Sequence, residues 1–215
     1  MAIGRRDVLL GASGLALMGL GACNGANGQS GVSAEDMAIG AENAPATLIE
    51  YASTTCSHCA AFHETVWEQL KANYIDTGKV RFVFREFPTP PPAIAVAGFQ
   101  VARCGGATPE QYLTRVGVLF EQQQAIFQSG SMEGVRQKLV EIGAGAGLSE
   151  QQVMECITDQ AGAERIRRTV ENAQQEFDIT GTPTLILNGE KLTDPSILTY
   201  EGLSRAIDAA IAARG

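Results

Sequence analysis

The chain contains no run of lysine or arginine, and its 24 Asp and Glu outnumber 16 Lys and Arg, for a net charge of −8. That balance excludes a nucleic-acid partner held by phosphate contacts. The densest basic cluster, Arg165-Ile166-Arg167-Arg168, reads as one solvated helix face. The apolar run from Val8 to Ala22 is too short for a transmembrane span. There is no internal repeat, and no low-complexity tract beyond one short Gly- and Asn-rich stretch. A single CxxC is present, with no second CxxC and no nearby histidine pair to complete a zinc site. Covalent haem attachment requires His after the second cysteine, and Ala60 stands there. No metal is expected, and no cofactor.

What is present centres on Cys56-Ser57-His58-Cys59. An apolar-periodic stretch (Phe62, Val66, Leu70, Tyr74) follows at once, which puts Cys56 at a helix N-terminus. Free backbone N–H groups and the helix dipole there favour a thiolate over a thiol. A cysteine so placed has a pKa of roughly 3.5 to 7.5 instead of about 8.5. Cys59 is near enough to close a disulfide with it. A purely structural disulfide is the alternative, but a two-residue loop at a helix start constrains little.

Arg5-Arg6 precede the Val8–Ala22 run, so residues 1–22 read as an export signal of twin-arginine type. Leu20-Gly21-Ala22-Cys23 has the pattern of a lipobox, with Cys23 the lipidated residue; the alternative is an ordinary secretory signal with an incidental cysteine. Residues 23–36 read as a flexible tether. Cys104 and Cys156 are left over. In an oxidising compartment they are expected to be bridged, the alternative being two small buried hydrophobes.

Residues 47–52 and 80–84 read as strands on either side of a helix from about Cys56 to Thr77, a βαβ unit with parallel strands. From Ile94 to Phe177 the period is helical almost throughout. Thr108-Pro109 and Ser149-Glu150-Gln151-Gln152 are helix starts. The helix from Thr108 is expected to run to Gly130, with Tyr112, Val116, Leu119, Phe120 and Phe127 on its buried face. A strand follows Gly181-Thr182-Pro183, then an Asn188-Gly189 hairpin and a closing helix from Tyr200 to Ala213. The class is α/β, with an all-helical insertion.

CxxC at a helix start and a later Gly181-Thr182-Pro183-Thr184, in that order, resemble the thioredoxin-fold oxidoreductases of the DsbA family, over roughly Met37 to Ala213. The resemblance implies a thioredoxin-fold domain (37–89 and 178–215) carrying a helical insertion (90–177). It implies that Cys56 is the nucleophile, that His58 favours its thiolate, and that Cys59 closes the disulfide. Glu50, six residues before Cys56, matches a family acid that relays protons near the buried cysteine; the alternative is an edge-facing solvated Glu. Pro183 matches the family's cis-proline, with Thr182 beside it to pair with an extended substrate peptide. The Cys104–Cys156 bridge matches a second, structural disulfide of alphaproteobacterial relatives. His63 reads as a helix-surface or packing residue.

The implied protein is a periplasmic, lipid-anchored and monomeric thiol:disulfide oxidase. It would act on reduced or unfolded exported proteins and be reoxidised by a DsbB-like membrane oxidase. The 13 residues 24–36 are too few for the dimerisation domain that isomerases of this fold carry. Ser57 stands where the best-known members have proline, and Thr182 where they have valine. A disulfide isomerase or reductase, and a non-catalytic peptide-binding lipoprotein or chaperone, are the competing readings.

Overall fold

The β-branched and aromatic residues of 46–52 and 80–86 form two strands that hydrogen-bond in parallel at the centre of a five-stranded sheet. The computed structural model describes residues 31–214. The expected export signal, Cys23 and the first part of the expected tether lie outside the described residues. The strands are β1 (Met37–Ile39), β2 (Ala46–Ala52), β3 (Val80–Glu86), β4 (Thr184–Leu187) and β5 (Glu190–Lys191), in the order β1-β3-β2-β4-β5. Only β2 and β3 pair in parallel; β1, β4 and β5 are antiparallel to their neighbours.

The parallel pair is joined by one continuous helical segment, residues 57–75. It comprises α1 (Ser57–Phe62) and α2 (Glu68–Leu70), each followed by a π-helical turn (His63–Trp67 and Lys71–Ile75). Phe62, Val66 and Leu70 project from this helix into a core with Leu48 and Phe82 of the sheet and Leu203 and Ile207 of the closing helix α9 (Tyr200–Ala212). Each such side chain contributes roughly 1.5–3 kcal/mol by leaving water. Alternate residues of the same strands, Ile49, Tyr51 and Val83, face a smaller core on the other side of the sheet. Asn188 (φ 54°) and Gly189 (φ 88°) close the β4–β5 hairpin with the positive φ values its turn requires.

The insertion consists of α3 (Pro92–Arg103), α4 (Pro109–Glu121), α5 (Gln123–Gln128), α6 (Met132–Gly145), α7 (Glu150–Ile157) and α8 (Gln160–Phe177). Thr108 and Ser149 cap α4 and α7 through reciprocal capping boxes with Gln111 and Gln152. The helix expected to continue from Thr108 to Gly130 breaks instead at Gln122 (φ −88°, ψ 0°). The break rotates the downstream face, so Ile126 is buried and Phe127 is 42 % exposed. Strand β1 was not legible in the sequence; three residues are too few to show a period.

Buried Glu86 at the end of β3 docks the insertion onto the sheet. It accepts hydrogen bonds from Arg103 of α3 (2.6 Å) and Tyr112 of α4 (3.2 Å). The described end of the tether is also held: Asp36 pairs with Arg85 (2.9 Å) and the Glu35 carbonyl accepts from Arg103 (3.1 Å).

Cys104, at the end of α3, and Cys156, in α7, form a disulfide that closes a 52-residue separation within the insertion. Chain-entropy arguments give such a loop about 4 kcal/mol of stabilisation, less what the reduced unfolded chain recovers. A Cys104→Ala/Cys156→Ala variant is expected to lose about 2–4 kcal/mol in urea unfolding. The thiol reactivity of Cys56 should be unaltered, since the disulfide lies in another layer.

Candidate active site

Strand β2 ends at Ala52, and the next three residues carry the chain to the helix start through buried hydroxyls. Ser53 Oγ lies 2.9 Å from Thr55 Oγ1 and accepts from the Thr89 N–H (3.0 Å), while Thr55 Oγ1 donates to the Thr89 carbonyl (2.9 Å). Thr54 Oγ1 donates to the Ala95 carbonyl of α3 (3.3 Å). A turn from the Ser53 carbonyl to the Cys56 N–H (3.0 Å) then sets Cys56 at the N-cap, with extended backbone (φ −90°, ψ 117°).

A cysteine therefore occupies the position that Ser or Asp ordinarily fills. Its Sγ accepts from the Cys59 N–H at 3.4 Å. Cys56 is half-buried and Cys59 has no exposed surface; both are thiols rather than a disulfide. The Cys56 thiol is lowered to about 5, first by the hydrogen bond that the Cys59 thiol donates to it. Burial opposes this; hydrogen bonding by Thr182 and by the Cys59 and His58 N–H groups supports it. Cys59 moves the other way. Burial, the hydrogen bond it gives Cys56, and the nearby negative charge of Glu50 push its thiol far above the ordinary range. Near neutral pH the pair holds one proton, on Cys59.

His58 follows Cys56 by two residues with its imidazole exposed; its contribution to the Cys56 thiolate comes from the backbone N–H. The Thr182–Pro183 peptide bond is cis, and the Thr182 carbonyl lies 3.3 Å from Cys56 Sγ, accepting the thiol proton when one is present. The Thr182 hydroxyl is buried without another partner, so it is free to turn its hydrogen toward the sulfur. Glu50 is fully buried on the central strand, which overturns the solvated-edge alternative. It faces the active-site helix, where His63 Nε2 lies 3.0 Å from its Oε2. His63 is thus packed in the interior and is not a helix-surface residue. Among the described residues no group of acids, histidines and cysteines is arranged to hold a metal.

Gln123 was missed by sequence reasoning. Its Nε2 donates to the Thr54 carbonyl (2.8 Å) and the Cys56 carbonyl (3.2 Å), tying the start of α5 to the loop before the thiols. Nothing in Glu121-Gln122-Gln123-Gln124 distinguishes one glutamine from the next. Only the break after α4 turns Gln123 inward.

A lowered thiol at a helix start, a buried partner three residues on, and a cis X-Pro bond against the first sulfur define a thiol–disulfide exchange site on a thioredoxin-type sheet. The chain belongs to the thioredoxin family, whose model matches residues 33–209. It is 32% identical over 179 residues to a Rickettsia conorii protein named as a protein-disulfide oxidoreductase, covering 82% of this chain and 60% of that protein. The chain spans about three-fifths of the length of such Rickettsia relatives. The crystal structure of Wolbachia pipientis alpha-DsbA1 superposes with a TM-score of 0.73 at 24% identity, covering 85% of this chain and 94% of that one. Chlamydia trachomatis DsbA gives 0.71 at 18%, covering 86% and 96%. These likenesses show the fold: a thioredoxin sheet with a helical insertion.

Alkylation of the reduced protein should be half-maximal near pH 5, because the Cys56 thiolate persists down to its lowered pKa. It should fall away only below that, with Cys59 unlabelled; a midpoint near pH 8–9, that of an ordinary thiol, is the contrary result. Gln123→Leu leaves two buried carbonyls without their donor and should cost about 1–3 kcal/mol in denaturant unfolding.

Proposed function

We propose that the protein is an exported thiol:disulfide oxidoreductase that introduces disulfides into reduced exported proteins. The observation that carries this reading is the opposed pair of thiols, Cys56 held as thiolate at about 5 and Cys59 held as a buried thiol. A stabilised Cys56 thiolate favours the reduced pair, which makes the disulfide the stronger oxidant. A substrate thiolate attacks Cys56 Sγ, forming a mixed disulfide and expelling Cys59. A second substrate thiolate then attacks the substrate sulfur and releases Cys56 as the thiolate. The backbone at Thr182, beside the cis bond, offers an edge to which an extended substrate peptide can pair.

The sequence signals supply the location: Arg5-Arg6 with the uncharged run to Ala22 for export, and Cys23 for a lipid anchor at the periplasmic membrane surface. No helix among the described residues is long and apolar enough to cross a membrane. Reoxidation falls to a DsbB-like membrane oxidase. The names carried by the Rickettsia relatives agree with disulfide chemistry.

A second reading, disulfide isomerisation by the same thiols, is favoured by Thr182. A Novosphingobium aromaticivorans structure described as a protein-disulfide isomerase shares the fold at a TM-score of 0.67 and 19% identity.

The experiment presents the oxidised protein with a reduced dithiol peptide and, separately, with a protein whose disulfides are scrambled. Fast peptide oxidation with poor unscrambling is expected. Cys59→Ala, which cannot form the internal disulfide, should accumulate a mixed disulfide at Cys56 with the scrambled protein, whose disulfides its thiolate attacks, and Cys56→Ala should lose all turnover. Efficient unscrambling would establish the isomerase, and peptide binding by Cys56→Ala with wild-type biological activity would establish a binding protein.

A further inference from the structure

The exchange of thiols at Cys56 makes no use of His63, which lies one turn past Cys59 on the active-site helix. His63 Nε2 lies 3.0 Å from Glu50 Oε2 in a pair that is 9 % exposed on the His63 side and fully buried on the other. The second carboxylate oxygen, Glu50 Oε1, is buried and has no hydrogen-bond partner. A lone pair left unpaired in the interior is costly, and it is suited to receiving a proton. The imidazole stacks on Trp67, with ring centroids 5.2 Å apart, and meets the ring of Phe120 at 4.6 Å. It also borders a groove of about 1000 Å³ between the active-site helix and α4. His63 thus touches the buried acid on one side and the groove on the other.

We propose that His63 is a positioning residue for the Cys59 half of the reaction: it aligns Glu50 and connects it to groove water, giving the Cys59 proton its path between solvent and the interior. This rests on the reading of Cys56 and Cys59 as an exchanging pair.

When a substrate thiolate attacks Cys56 Sγ, the Cys56–Cys59 bond breaks and its electron pair goes to Cys59 Sγ. A thiolate there would share the interior with the Glu50 charge, so it must take up a proton. The Glu50 carboxylate takes a proton from groove water through His63 and passes it to Cys59 Sγ, returning to the carboxylate. Reoxidation by a disulfide-bearing oxidant reverses the route. The Cys56 thiolate attacks the oxidant's sulfur and expels one thiolate. Cys59 gives its proton to Glu50, attacks Cys56 Sγ and expels the second thiolate, and the proton leaves through His63.

Among the described residues, the charged group against the imidazole is Glu50, from β2; β3 and α4 present the rings of Phe84 and Phe120. Around the groove stand Glu64, Glu68, Lys71 and Asp76 of its own helix and Glu110 and Glu121 of α4, a predominantly acidic border that favours proton uptake.

The test follows single-turnover reoxidation of the reduced full chain by oxidised glutathione. Acid quenching and mass analysis, from pH 5 to 8, separate mixed-disulfide formation at Cys56 from its resolution by Cys59. His63→Gln should leave formation unchanged and slow resolution about tenfold, short of the hundredfold or more expected of a group that touches the reacting sulfur. It should also flatten the pH profile of resolution. In His63→Ala, added imidazole entering the groove should restore the rate. Glu50→Gln/His63→Gln should be no slower than the slower single variant. Wild-type resolution in folded His63→Gln, equal slowing of both steps, or multiplicative single effects in the double variant would overturn the proposal. Should His63→Gln fail to fold, absence of imidazole rescue in His63→Ala overturns it. A wild-type protein that forms no mixed disulfide with glutathione would instead sink the exchange reading itself.

Discussion

A sulfur caps a helix in this protein, and the chemistry depends on where that cap places the two thiols. The Cys59 N–H points at Cys56 Sγ because Cys56 sits at the N-cap, where the first helical N–H groups lack carbonyl partners. The same geometry places Cys59 one turn inward, beneath the helix and against the sheet, where no water reaches it. One thiol is therefore stabilised as an anion and the other as a neutral acid by a single local conformation. Burial against the sheet, the Glu50 charge beneath Cys59 and Thr182 beside Cys56 complete the asymmetry. The rest of the structure fixes the helix start: the Ser53–Thr55 hydroxyls bind it to the loop after β3 and to α3, and Gln123 binds it to α5.

The helical insertion accordingly does more than cover one end of the sheet. Gln123 and Ala95 reach the loop before the thiols from two insertion helices, and Glu86 gathers Arg103 and Tyr112 so that the insertion keeps its place on β3. A buried carboxylate with two such partners is weak evidence of net stability but fixes an orientation. The Cys104–Cys156 bond lies within the insertion and leaves the reactive pair to its own local geometry.

Much of this was legible in the chain. The βαβ unit, the capping boxes at Thr108 and Ser149, the Asn188-Gly189 hairpin and the helix opened by Cys56 each follow from a short pattern with a physical cause. Three features were not legible, each for a particular reason. Strand β1 exists because β3 has a free edge, which no local pattern reports. The break at Gln122 separates α4 from α5 where the helical period runs on unbroken, so Phe127 reads as buried and is not. His63 reads as an ordinary helix position until β2 is laid against the helix and Glu50 arrives beneath it. Local signals locate the thiols; the partners of the thiols come from elements distant in sequence.

The central claim is that the reduced pair holds one proton, on Cys59, while Cys56 is an anion. The dependence of the reduction potential on pH tests it most directly. A two-electron couple that takes up one proton changes by about 30 mV per pH unit, and one that takes up two changes by about 59 mV. Equilibration against glutathione between pH 6 and 8 should give the smaller slope, with a potential well above the roughly −270 mV of thioredoxin. A slope near 59 mV per unit, with a potential at or below thioredoxin's, would contradict the account.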